Sequence, residues 1–250
     1  MLILLGFNFL LRDNPQRIPV LLAVALVGGG LLWMWNARPG AQGALEQISI
    51  PLGQVNQAQI RLVPGVGQLE VSALEESSAS LIEGQIRLLP GERLERRSDV
   101  QGSESTVALE ARGRTSGAVR SREGWELRLS PRAELRLMVN TGVGEAVLNL
   151  RNLQVSSLDV NSGVGRVQIE LPEQGIYRAK IDGGVGELDI RIPLDVAVRL
   201  EAKMGLGGLE VPNGLIKLGD NRYESPDYAT AAHKAVLEVS GGVGRVVFRK

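Results

Sequence analysis

The chain has 250 residues, with 28 Lys+Arg balanced by 28 Asp+Glu, so no net field draws nucleic acid or anionic substrates to it over long distances. It has no cysteine and one histidine, His233, which excludes disulfides, thiolate nucleophiles, cysteine-held zinc, iron–sulfur clusters and any multi-histidine metal site within one chain. Glycine is abundant at 31 residues, whereas Phe, Tyr and Trp number three each, a composition unlike that of an ordinary enzyme.

Residues 1–37 read as a membrane segment. An apolar run over 2–11 is too short to span alone and fits either an interfacial stretch or the remnant of a longer hairpin. The clear span is 18–35, charge-free and rich in Leu, Val, Ala and Gly, with Trp33 and Trp35 at its far end where indoles favour the interface. Arg12 and Arg17 precede it and Arg38 follows, a bias that predicts a single-pass anchor with the soluble domain outside the cytoplasm. A cleaved signal peptide is the rival reading, with Ala41-Gln42-Gly43 as its cleavage site. That site lies well beyond the apolar stretch, which favours an uncleaved anchor followed by a linker over 38–43.

Residues 44–134 read as the N-terminal capping part of a β domain. Its less regular strands are Val55–Leu62, Gly67–Ala73, Leu81–Leu89, Val107–Ala111 and Trp125–Leu129. Charged stretches around Glu92–Ser105 and Gly113–Glu123 read as solvated loops.

Residues 135–250 carry a repeat. Its unit is Gly, an aliphatic residue, Gly, then alternating apolar residues, and it occurs six times counting one copy in the N-terminal part. The paired glycines are Gly65/Gly67, Gly142/Gly144, Gly163/Gly165, Gly184/Gly186, Gly205/Gly207 and Gly242/Gly244. Four consecutive copies are spaced by 21 residues, which signals stacked repeats. Apolar residues alternate on both sides of each corner, as in Leu158/Val160 before one and Val167/Ile169/Leu171 after it, so each copy is strand, glycine corner, strand. The inward parity shifts by one residue across the corner, as a bulge or sharp bend requires.

Equivalent positions in successive copies give Glu145, Arg166, Glu187 and Asp159, Lys180, Glu201, both alternating in sign. Side-by-side, in-register neighbours would place these opposite charges against each other. The buried counterpart is an aliphatic ladder of Val139, Val160, Ile181, Ala202 and Val239. The expected fold is therefore all-β: a β-solenoid-like stack of period 21 behind one N-terminal transmembrane helix. The last spacing is 37 residues, which predicts an insertion near 212–234 holding Tyr223, Tyr228 and His233. The two tyrosines read as a cap for the open end of the stack or as a contact patch for a partner. His233 reads as a loop ring.

Other chemistries fit poorly. A dinucleotide loop needs a third glycine and a following helix, whereas each Gly-Val-Gly is followed by strand alternation. The acid of Gly183-Gly184-Val185-Gly186-Glu187-Leu188-Asp189 is one position late for a calcium-binding β-roll, whose period is also different. A leucine-rich pattern, Leu150-x-x-Leu153-x-Val155-x-x-Leu158, occurs once only. A glycan-cleaving solenoid needs one carboxyl with a raised pKa, whereas Glu145, Glu187, Asp159 and Glu201 all have a basic neighbour in the repeat.

The ordered series Trp125-Glu126-Leu127-Arg128-Leu129, Leu135/Leu137, the first regular Gly-Val-Gly, Leu150 to Leu158, the repeated corners, then Tyr223, Ser225, Tyr228 and Gly242 resembles the bacterial toast-rack domain family. It also resembles the related LiaF-like, cell-wall-active-antibiotic-response proteins, and Leu81-Ile82-Glu83-Gly84 fits the family's N-terminal part. The likeness covers about Ala44 to Lys250. It implies a β-solenoid-like module on a bacterial membrane protein, without catalytic residues, cofactor or metal. For LiaF-like members it further implies inhibition of an envelope-stress histidine kinase, although those carry several membrane helices where this chain shows one clear span. The expectation is a membrane-anchored, non-catalytic binding or regulatory module whose partner is a membrane kinase or a cell-envelope component. The alternative is a structural or adhesin-like surface protein.

Overall fold

The computed structural model describes residues 44–113 and 124–250. The expected span 18–35, the apolar run 2–11, the linker 38–43 and the charged stretch 114–123 lie outside the described residues. Among the described residues no helix is long and apolar enough to cross a membrane.

Among the described residues, thirteen strands form one sheet: β1 Leu45–Pro51, β2 Gln57–Ala73, β3 Ser80–Arg87, β4 Glu92–Gln101, β5 Glu104–Gly113, β6 Gly124–Leu129, β7 Glu134–Asn149, β8 Gln154–Glu170, β9 Ile176–Arg191, β10 Ala197–Glu210, β11 Ile216–Gly219, β12 Arg222–Glu224 and β13 Lys234–Arg249. The long strands β2, β7, β8, β9, β10 and β13 each contain one Gly-aliphatic-Gly corner and are paired in parallel.

A single rung shows why the chain coils. In β7 the buried residues are Leu135, Leu137 and Val139 before the corner, then Ala146 and Leu148 after it, so burial changes parity across Gly142-Val143-Gly144. Both arms thereby present aliphatic side chains to the same interior. From Asn149 the chain needs only five residues to reach Gln154, which pairs with Glu134 at the start of the rung below. So short a return brings the ends of the arms together, and they fold back on each other across the core. Leu150 and Leu153 are buried in that turn, and the Leu153 N–H donates to the Leu150 carbonyl at 2.9 Å. The lone leucine-rich pattern is therefore a turn filler. Each rung buries several large aliphatic side chains, worth roughly 1.5–3 kcal/mol apiece.

The order of rungs differs from chain order. The sheet runs β9-β13-β10, so the C-terminal strand inserts between two strands that are consecutive in sequence. The aliphatic ladder is thus Leu62, Val139, Val160, Ile181, Val239, Ala202, with Val239 and Ala202 exchanged relative to the sequence expectation. The surplus residues between Gly205 and Gly242 account for this. They form the antiparallel hairpin β11–β12, which pairs with the outer edge of β10, and then carry the chain back into the gap. Asn221, at φ 61°, lies in the hairpin turn, a conformation that asparagine tolerates.

The N-terminal part belongs to the same stack. β2 is a full rung lying directly on β7 despite the long gap between their corners. Beyond it, β5 and β6 continue its two arms in parallel, and β4 and β3 pair antiparallel with β5 and β6. Glu92–Ser105, expected as a loop, is largely strand: β4 pairs with β5 along its whole length. It has no apolar alternation because it is almost wholly exposed, and its charges are matched instead, with Arg112 3.1 Å from Glu95 and 2.9 Å from Glu110.

The chain divides into two units, 1–42 and 43–250. The second unit holds one continuous aliphatic core from Ile48 to Phe248, the mark of a domain that folds by itself.

Candidate interaction surface

The corners stack glycine on glycine. Gly144, Gly165, Gly186, Gly207 and Gly244 have φ between 137° and 143°. A Cβ on Gly165 would lie 1.7 Å from the Gly144 carbonyl oxygen, so both the dihedral and the neighbouring backbone require glycine there. The first glycine of each pair is crowded from the same side, with a Cβ on Gly163 meeting the Gly142 oxygen at 2.3 Å. Gly65 and Gly67 begin this series, while Gly184, Gly242 and Gly205 continue it in spatial order.

The residue between the glycines points outward. Val66, Val143, Val164, Val185, Val243 and Leu206 form one register row across the six rungs. Val143, Val164, Val185, Val243 and Leu206 are 51, 48, 51, 48 and 71% exposed. Sequence reasoning used these aliphatics only as part of the repeat. The readable signal was their place outside both inward parities.

Beside the apolar row runs a polar one: Gln68, Glu145, Arg166, Glu187, Arg245, Gly208. The Arg166 Nε donates to Glu187 Oε2 at 3.3 Å, the Gln68 amide reaches Glu145 at 3.5 Å, and Arg245 pairs with Glu210 at 2.5 Å. The expected alternation Glu145, Arg166, Glu187 therefore holds in register, and Arg245 extends it.

The second expected series holds only in its first step, with Asp159 beside Lys180. Insertion of β13 places Glu238 beside Lys180, with Glu201 one rung further. Glu201 pairs within its own strand with Lys203 at 2.6 Å, and that ammonium holds its carboxyl below the usual range. Lys180 pairs with Asp182 at 3.2 Å, which raises its pKa.

At the β10 end, Tyr223 lies in β12 opposite Leu200 and packs against the core. Tyr228 is half-buried under the Arg199 guanidinium, 4.5 Å from the ring centroid, while Arg199 also donates to Glu224 at 2.6 Å. The two rings thus occupy the segment that covers the edge of β10. His233 has a partner that sequence did not reveal: the Gly175 N–H donates to its Nδ1 at 3.1 Å. Two further residues have structural roles that the sequence did not assign. Ser225, named above only as part of the family-like series, is buried, exchanging hydrogen bonds with the backbone of Val198 at 2.8 and 2.9 Å. Tyr177 is buried and donates to the Pro172 carbonyl at 3.0 Å, and burial pushes its hydroxyl well above the ordinary range. Among the described residues, no cluster of His, Asp or Glu has a metal-holding arrangement.

Stacked two-armed coils with parallel, in-register rungs and antiparallel pairs at both ends define a β-solenoid-like repeat protein. The chain belongs to the toast-rack family: the model of the N-terminal domain of toast_rack, DUF2154, matches residues 39–191. A crystal structure of a "putative cell adhesion protein" from Clostridium sporogenes is similar in fold, with TM-score 0.72 and 22% identity over 83% of this chain and 99% of that one. A "putative adhesin" from Bacteroides fragilis covers 82% of this chain and 97% of its own at 11% identity, and its TM-score of 0.28 adds nothing to the fold comparison. No curated protein matches the chain.

Proposed function

We propose that the protein is a membrane-anchored, non-catalytic binding module of the bacterial cell envelope, acting on an envelope-stress signalling system. The observation that carries the binding reading is the exposed face, where an apolar row repeats in register over six rungs and a charged row beside it over the central four. A stacked sheet offers such rows at fixed spacing, which suits an extended macromolecular partner better than a small substrate. Arg166 there is paired with Glu187 and Arg245 with Glu210, and the pKa of the Glu201 carboxyl on β10 is lowered rather than raised as an acid catalyst needs. The anchor rests on the charge-free span 18–35, and the signalling role on the likeness to LiaF-like proteins.

A second reading, a surface adhesin, is favoured by the fold shared with the protein described for cell adhesion. Deleting the protein and following kinase-dependent transcription with and without a cell-wall antibiotic separates the two. Altered output supports the regulatory reading, whereas unchanged output in both conditions overturns it. Protease accessibility of the C-terminus in intact cells tests the topology, and cleavage from outside is the expected result.

A further inference from the structure

We propose that the glycine-corner edge is a homodimer interface, through which two copies meet edge to edge in antiparallel orientation about a two-fold axis passing between β8 and β9. The proposal rests on the described domain alone: it takes the same exposed rows that carry the binding reading and assigns them a second copy of the chain as partner, and its failure would leave a different partner for that face.

Two features of the edge carry it. The first is the row Val66, Val143, Val164, Val185, Val243, Leu206, which spans five interstrand steps, about 24 Å. A straight, contiguous aliphatic row on a rigid edge is costly to leave in water and marks a contact site. The second is the order of charges beside it. A two-fold between Arg166 and Glu187 reverses the row Gln68, Glu145, Arg166, Glu187, Arg245, Gly208 onto itself. Glu145 of one copy then faces Arg245 of the other, and Arg166 faces Glu187, with every charge opposite its complement.

The apolar row obeys the same symmetry, with Val164 facing Val185, Val143 facing Val243 and Val66 facing Leu206. A parallel arrangement about an axis along the stack fails this condition. It turns the charged flank of one copy toward the other flank of its partner, where the register row is Asn140, Asn161, Asp182, Ser240, Lys203. Charge complementarity thus selects one occupant, a second copy, and one orientation for it. An isologous contact of this kind closes on itself, so the product is a dimer and not a fibre. The edge is narrower than the ~800 Å² per partner of a standard interface, so association of the free domain is weak and concentration-dependent.

The absence of cysteine from the chain makes the test clean. Single variants Val143→Cys, Val243→Cys, Val164→Cys and Val185→Cys, with Asn152→Cys on the turn edge as control, are made in the 44–250 fragment and in the full chain reconstituted in vesicles. All five positions lie on the surface or edge, and circular dichroism establishes that each variant folds. Mild oxidation of mixed variants should cross-link Val143→Cys with Val243→Cys, and Val164→Cys with Val185→Cys, several-fold faster than Val143→Cys with itself. In the dimer, two copies of residue 143 stand three rungs apart, too far for a disulfide. Asn152→Cys should not cross-link. Self-coupling of Val143→Cys at the mixed rate would overturn the antiparallel geometry. Edge cysteines that cross-link no faster than Asn152→Cys in both preparations would overturn the interface itself.

Discussion

Gly165 shows how much one hydrogen atom decides in this fold. Its φ of 143° disfavours any L side chain, and a Cβ would sit 1.7 Å from the Gly144 carbonyl oxygen, which belongs to a neighbouring rung and cannot retreat without breaking register. Gly165→Ala should therefore destabilise the domain by roughly 3 kcal/mol or more in a denaturant titration. Gly208 lies one position past the corner, where a Cβ would meet nothing closer than the Arg245 Cγ at 4.0 Å. Gly208→Ala should change stability by less than about 0.5 kcal/mol. Comparable losses at both positions would mean that general flexibility, not backbone crowding, explains the corner glycines. These positions were legible in the sequence because a steric demand repeated every 21 residues leaves a repeated residue type. The roles of buried Tyr177 and Ser225 were not legible in the repeat, since each answers a single local hydrogen-bond requirement with no periodic trace, and Ser225 stood out only through the family likeness.

Among the elements, β13 has the least obvious position. Gly205 follows Gly184 by the regular 21 residues, so nothing in the spacing separates β9 from β10. Only the surplus before Gly242 hints at a detour, and its length cannot say into which gap the chain returns. The charge series exposes the cost of that ambiguity: Asp159, Lys180, Glu201 alternates in sequence, but Glu238 intervenes in space. The strand β4 was illegible for another reason, because an exposed edge strand paired on one side needs no apolar alternation. Among the described strands, β13 is the one through which β10, β12 and β11 pair with the rest of the sheet. Truncation after His233 should abolish amide-exchange protection in β10–β12 while β2, β7 and β8 stay protected. Retained protection across β10 would show that it docks directly on β9, and that the inserted order is a late choice rather than a requirement.

Across the whole molecule, the charge ladder tests whether register is held by the core alone or also by its exposed rows. Arg166 stands between Glu145 and Glu187, so Arg166→Glu places three like charges in adjacent rungs at ~4.8 Å spacing. The ladder predicts a Tm lowered by about 2–4 °C, with part of the loss recovered in high salt, because these side chains are partly exposed and screened. Arg249, although near the C-terminus, is unsuited as a control: β13 lies inside the sheet, and Arg249 donates to both Asp189 oxygens at 3.0 and 3.1 Å. Lys217, exposed on β11 at the far edge, is the better comparison, and Lys217→Glu should leave Tm almost unchanged. A salt-insensitive loss in Arg166→Glu would point to the packing of its aliphatic stem over the neighbouring strands. Equal losses in both variants would assign no special role to the ladder, leaving the stacked glycines and aliphatic rows as the only determinants of register.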